Sequence, residues 1–270
     1  MTLLAAWVGV DLKKTGPKIA SIYFATDSRI TWPNGETHDE FTKVYGMEYS
    51  PDIFCFCGDV LFATATITQI VKQADLQLFF PINASADEKF ALIENKISNA
   101  IFKYPVSQTA ASFKIFYATR DVNQDFHCYC LEWSIKNGLS STKLILPDKS
   151  TVIAVAGSGR EEFEREFKDK HDKPKFNNHG TSRTVYHCFV QTLENIRDPQ
   201  CGGIPQIIGL YRIKNAISFG IVKDKKRFLN GSEINQFQNL KFVEWRNELF
   251  ERIEPEKMEI LSSAQRQPRS

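Results

Sequence analysis

This sequence lacks a charge imbalance: its 270 residues carry 34 basic and 32 acidic side chains, a net charge of +2. Nothing in that balance points to a nucleic acid or a membrane surface as partner. It also lacks any run of about 18 uninterrupted apolar residues, so hydropathy offers no spanning helix. No basic segment precedes the short apolar stretch 3–10, and Asp11 follows it closely. That stretch does not read as a secretory signal, and the expected compartment is the cytoplasm. Internal repeats and low-complexity tracts are missing as well, which argues against solenoids and linker-rich chains. Cysteine occurs six times but without zinc-site spacing. Cys55-Phe56-Cys57 and Cys128-Tyr129-Cys130 alternate within apolar, strand-like segments, whereas zinc favours CxxC turns with His or Cys partners. They read as small buried hydrophobes, so no metal and no cofactor is expected. Asn83-Ala84-Ser85 and Asn230-Gly231-Ser232 match a glycosylation pattern that carries little meaning without a signal.

What is present is a globular composition, 42% hydrophobic against 24% charged, which supports a buried core. Residues 3–10 and 19–25 read as a strand pair around a polar Gly-Pro turn, and 44–49 with 52–57 as a second hairpin. Val60, Ala63, Ile67, Ile70, Val71 and Ala74 have helical spacing. Ser85 with Glu88 is a capping box for a second helix, which Pro105 closes. The period then changes to short strand-like runs at 113–118, 126–133, 142–146 and 151–156. Helices are predicted over 160–169 and 181–197, strands over 204–213 and 216–222, and a last amphipathic helix over about 233–253. Between the fourth run and the final strands, Lys170, His171, Lys173, Lys175 and His179 read as a solvated loop. The element order predicts one α+β domain, sheet packed on sheet with a helix pair over each outer face. Its expected limits are 1–224, with 225–270 adding the C-terminal helix and a loose tail.

Few residues suggest chemistry by themselves. Methionine before a small residue is usually trimmed, so the mature chain is expected to begin at Thr2. That would unite a hydroxyl nucleophile and an α-amine base in one residue. An α-amine titrates at about 7.7–8.0, close to working pH. Asp27 and Arg29, at i and i+2 after an apolar strand, share a face. Lys43 enters the next apolar strand and is costly to bury without a carboxylate, which makes Asp27 its natural partner. Sequence alone favours an exposed version of that pair. Gly157-Ser158-Gly159 and Arg197-Asp198-Pro199-Gln200-Cys201-Gly202-Gly203 both read as acceptable turns beside helices.

Taken in order, these pieces form a pattern: Thr2, then Asp27-Ser28-Arg29, Lys43, Gly58, Gly157-Ser158-Gly159, and Arg197-Asp198 with Cys201-Gly202-Gly203. From about Thr2 to Val222 the chain resembles the proteasome β-subunit family, including its bacterial relatives, within the N-terminal-nucleophile (Ntn) hydrolases. The resemblance implies a four-layer αββα sandwich of the Ntn-hydrolase type and a threonine-type peptidase. Thr2 would be the nucleophile, Lys43 the adjacent charge and Asp27 its anchor. The Gly58 N–H would serve the oxyanion, Ser158 and Asp198 would set the amine's protonation, and Arg29, Cys201 and Gly202 would support the site. The resemblance also implies a homo-oligomeric ring that hydrolyses peptides or unfolded protein, fed by an AAA+ unfoldase. Three features depart from the family pattern. Cys201 stands where the family commonly has serine, Thr2 and Asp27 are 25 positions apart, and the chain continues past Val222. The alternatives are a catalytically silent structural or regulatory ring subunit and an amidohydrolase of small substrates. Phe41, Phe56 and Val60 are candidates for lining an apolar specificity pocket.

Overall fold

The computed structural model describes residues 2–105, 111–171, 180–236 and 238–264. Met1, Lys173, Lys175, His179 and the last six residues lie outside them. Two long strands, β1 (Leu4–Lys13) and β2 (Gly16–Thr26), form the leading hairpin. They are paired from Leu4 opposite Thr26 to Lys13 opposite Gly16. Gly16 makes the turn at φ 106°, a conformation that L side chains resist. The short strands β3 (Ile30–Thr31) and β4 (Thr37–His38) pair in a small flap, followed by β5 (Val44–Gly46) and β6 (Asp52–Gly58).

Helix α1 (Val60–Asp75) starts where the Asp59 side chain accepts from the Phe62 N–H at 2.8 Å. Helix α2 (Ala86–Lys103) has the predicted box: Ser85 Oγ accepts from Glu88 N–H at 3.3 Å, and Glu88 accepts from Ser85 N–H at 2.8 Å. Such caps are worth about 0.5–2 kcal/mol each. The chain continues through β7 (Phe113–Arg120), β8 (Phe126–Ser134), β9 (Gly138–Lys143) and β10 (Thr151–Ala156). Then come α3 (Arg160–His171), α4 (Ser182–Asn195), β11 (Gln206–Tyr211) and β12 (Ile217–Lys223). β9 lies earlier than the predicted 142–146, because Gly138, at φ 71°, lets the chain fold straight back onto β8.

The C-terminal helix expected over about 233–253 does not form. That region holds β13 (Lys226–Leu229), β14 (Ser232–Glu233), a 3₁₀ turn at Leu240–Phe242, β15 (Glu244–Arg246), β16 (Ile253–Glu254) and β17 (Glu259–Ile260). The apolar spacing there is helical by count only. Asn239 at φ 64° and Phe250 at φ 61° break any continuous right-handed turn, and Trp245 instead pairs β15 parallel to β12.

The expected four-layer αββα sandwich of the Ntn type is corrected as well. The molecule is sheet-rich, 37% strand against 25% helix, with four α-helices among the described residues and large antiparallel sheets. The first sheet has eight strands, in the order β10-β1-β2-β11-β12-β13-β14 with β15 alongside β12; the second has five, β5-β6-β7-β8-β9. Counting helical segments from periodicity overweighted helix, because the C-terminal stretch extends a sheet. Leu4, Ala6, Phe24, Cys55, Phe116 and Ile208 join the two sheets in one apolar cluster. A second cluster packs α1 and α2 residues such as Phe62 and Ile93 on Phe54 and Tyr117, and a third packs Phe163 and Phe189 on Trp7 and Tyr23. Burying each such side chain stabilises by about 1.5–3 kcal/mol. Among the described residues, no helix is long and apolar enough to cross a membrane.

Candidate active site

The leading hairpin delivers two functional groups to one end of the first sheet. Just beyond the Leu4–Thr26 pairing, the Asp27 N–H donates to the Leu3 carbonyl at 3.1 Å, and the Leu3 N–H donates to Asp27 Oδ1 at 3.2 Å. Asp27 is therefore tied to the residue that follows Thr2. Lys43 reaches the same point as the chain enters β5. Its Nζ lies 2.8 Å from Asp27 Oδ1 and 2.9 Å from Thr2 Oγ1. The Lys43 and Asp27 side chains are 1% and 0% exposed, and Thr2 is buried with them. The exposed pair favoured by sequence is thus corrected to a buried one.

Burying two charges costs several kcal/mol per ion unless hydrogen bonds complete the site. Here they do. The Asp27 carboxylate accepts on Oδ1 from Leu3 N–H and Lys43, and on Oδ2 from Gly202 N–H at 3.1 Å and Arg29 N–H at 3.3 Å. Burial still pushes the Asp27 carboxyl above the usual carboxylate range, opposed by the Lys43 charge and by these donors. The Lys43 ammonium is held between a carboxylate and a hydroxyl, so its charge falls directly on the Thr2 oxygen.

A second group adjoins the first. Gly157 has φ 90°, and a Cβ there would sit 1.8 Å from the Thr2 carbonyl oxygen. Only glycine lets that turn lie against the chain start. The Gly159 N–H donates to the Thr2 carbonyl at 3.4 Å. Between these glycines, Ser158 Oγ stands 3.5 Å from Cys201 Sγ, and the Cys201 thiol lies 3.6 Å from Asp198 Oδ2. Desolvation acts to raise the Asp198 carboxyl, but hydrogen bonds from Ser158, the Gln200 N–H and Cys201 hold it below its ordinary value. Burial pushes the Cys201 thiol up to about 12, so it stays a neutral donor rather than a thiolate nucleophile.

Arg29 turns away from Lys43. It forks onto Asp39 at 2.6 and 2.8 Å and donates to the Pro199 carbonyl at 3.1 Å, clamping the flap to the 198–203 turn. A Cβ on Gly202 would lie 2.4 Å from the Arg29 guanidinium carbon, so Gly202 makes room for the clamp. Gly58 ends β6 at φ 100°, where a Cβ would meet the Ser112 carbonyl oxygen at 2.2 Å. Two residues earlier, the Phe56 N–H donates to the Lys43 carbonyl at 3.3 Å, which puts this end of β6 beside Lys43. Phe56 itself is fully buried against α1 and α2 and belongs to the core, so it does not line a pocket. Phe41 and Val60 are half-buried in that same cluster.

The structure thus gathers Thr2, Asp27 and Lys43 in one cluster and Ser158, Asp198 and Cys201 in an adjoining one. Sequence reasoning missed three contributors. Asp39 is the partner of Arg29. Ser28 Oγ accepts from the Ile204 N–H at 2.8 Å. Gln206, 1% exposed, sits behind Lys43. The available signal for Gln206 was an amide at the head of the apolar run Ile207-Ile208. No protein-family model matches this sequence, and no curated protein matches it.

Proposed function

We propose that this chain is a threonine-type peptidase whose nucleophile is Thr2, exposed by cleavage of the Met1–Thr2 bond. The observation that carries this reading is the bridge of Lys43 Nζ between Asp27 Oδ1 and Thr2 Oγ1, with all three side chains buried. A buried ammonium against a hydroxyl lowers the cost of developing negative charge on that oxygen. The freed Thr2 amine takes the hydroxyl proton as Oγ bonds to the scissile carbonyl carbon. The tetrahedral oxyanion forms toward the Gly58 N–H, a donor type whose loss costs about 2.7–4 kcal/mol in other enzymes. Collapse breaks the C–N bond, the amine's extra proton goes to the leaving nitrogen, and an ester on Thr2 remains. Water then hydrolyses the ester, with the amine again the base. Lys43 stays beside the Thr2 oxygen, and Asp27 holds it in place. Ser158 and Asp198 set the protonation of the amine.

The resemblance to proteasome-type Ntn hydrolases supports a homo-oligomeric ring with inward-facing sites and an AAA+ unfoldase as feeder. The substrates would be unfolded protein or peptides. Peptide turnover by the mature chain, compared with Thr2→Ala, tests the chemistry; equal rates contradict it. Sedimentation velocity tests the ring, and a purely monomeric mature chain contradicts that part.

A further inference from the structure

We propose that Gln206 is the positioning residue of this site, setting the distance between Asp27 and Lys43; the inference rests on the peptidase reading above. One buried amide bonds three backbone groups on two distant segments of the chain. Gln206 Nε2 donates to the Asp27 carbonyl at 3.2 Å and to the Phe41 carbonyl at 2.6 Å. Its Oε1 accepts from the Lys43 N–H at 3.1 Å. The hydrogen-bonding pattern fixes the orientation of the amide. Reversed, it would set its NH₂ against the Lys43 N–H and its oxygen against two carbonyls. The segment that carries the carboxylate and the segment that carries the ammonium are thus joined through this side chain, beside one direct bond from the Phe41 N–H to the Ser28 carbonyl at 3.0 Å. Neither Asp27 nor Lys43 is paired to the other through a β-ladder: Asp27 lies past the end of β2, and Lys43 precedes β5. β11 supplies the side-chain link to both ion-pair residues, with Gln206 in register opposite Thr26.

An amide placed merely to fill the core would leave the lysine's geometry to other contacts. This one bonds to the backbone of both members of the ion pair and, at Phe41, to the chain two residues before Lys43. A positional error of about 1 Å at a reacting group costs about 10²-fold in rate. The residue that sets this distance therefore acts on the chemical step and not on binding.

The test uses mature protein and measures peptide kcat and KM, the rate at which an electrophile traps Thr2, and amide exchange at Lys43. Gln206→Met keeps the length and removes all three bonds; it should lower kcat and trapping about 10–100-fold with KM within about threefold. Its Lys43 amide should exchange faster. Gln206→Asn keeps the amide but shortens its reach and should fall between Met and wild type; its trapping rate decides the matter if Gln206→Met does not fold. Tyr117→Phe, which removes a buried hydrogen bond elsewhere, serves as the control that loses stability and keeps the wild-type trapping rate. Trapping at the wild-type rate in the Gln206 variants overturns the inference. Hydrolysis by Thr2→Ala at the wild-type rate overturns the peptidase reading instead, and the exchange at Lys43 then still reports whether Gln206 holds that backbone.

Discussion

Two lysine–aspartate pairs lie at opposite ends of β6, and they differ in what their third partner does. At its start, Asp52 Oδ2 meets Lys89 Nζ at 2.9 Å, and Asp52 Oδ1 accepts from the Tyr117 hydroxyl. At its far end, Lys43 bridges Asp27 and the Thr2 hydroxyl. Asp52 is fully buried while Lys89 is partly exposed, the Lys43–Asp27 pair is buried on both sides, and both sites include a hydroxyl. In the first, the hydroxyl donates to the carboxylate. Burial and the Asp52 charge then hold the Tyr117 proton well above its ordinary pKa, which makes the phenol inert. In the second, the hydroxyl accepts from the ammonium, and the charge beside it favours the alkoxide. The same ion pair can stitch a helix to a sheet or activate an oxygen. The direction of one hydrogen bond separates the two outcomes.

The contrast breaks most sharply under substitution of the lysines. Thr2→Ala should lower kcat/KM by at least about 10⁴-fold and Lys43→Ala by about 10²–10⁴-fold, both read from peptide turnover. Lys89→Met should keep turnover within about twofold while costing about 1–3 kcal/mol of stability in a denaturant melt. Peptide turnover lost in Lys89→Met and kept in Lys43→Ala would reverse the roles proposed for the two ends. Next in size, Gly58→Ala should lose about 1–3 kcal/mol of stability from its φ of 100° and the contact with the Ser112 carbonyl. A stability unchanged from wild type would contradict the packing described at that end of β6. Tyr117→Phe should cost about 1–2 kcal/mol with unaltered catalysis, measured by thermal unfolding alongside turnover.

The smallest expected effects depend on pH, and their signs oppose each other. Asp27 has a raised pKa. Its contribution to stability is full below about 3.9 and is lost as pH rises through the raised value. On the proposed peptidase reading, turnover runs the other way, because only the carboxylate pairs with Lys43. Asp198 has a lowered pKa. It stabilises above about 3.9, and that contribution disappears as pH falls through the lowered value. Asp198→Asn should therefore cost under about 1 kcal/mol at neutral pH, with the difference from wild type vanishing in acid. A difference that grows in acid would reverse the assignment.

How much of this was legible in the sequence follows from the range of each interaction. The Ser85–Glu88 box spans three residues, and it forms as its spacing predicts. The leading hairpin and the spacing of α1 were equally local. Lys43 was legible as a partner for Asp27, but its burial was not, because the donors that complete the carboxylate come from Leu3 and from Gly202, 175 positions away. Gln206 was invisible for the same reason: its three bonds join segments more than 160 positions apart. The C-terminal region misled in the opposite sense. Its apolar residues repeat at helical intervals, yet positive-φ residues and the parallel pairing of β15 make it sheet. That stretch adds strands to the first sheet where the sequence predicts a helix.

On the proposed reading, Thr2 becomes the chain's reactive first residue. Intact mass of the protein made in its own host, before and after incubation with an electrophile that traps N-terminal threonine, tests it directly. The expected result is a chain lacking Met1 that gains one adduct on Thr2, with no adduct on Thr2→Ala or Lys43→Ala. A chain that keeps Met1, or an adduct that forms equally on Thr2→Ala, would contradict it.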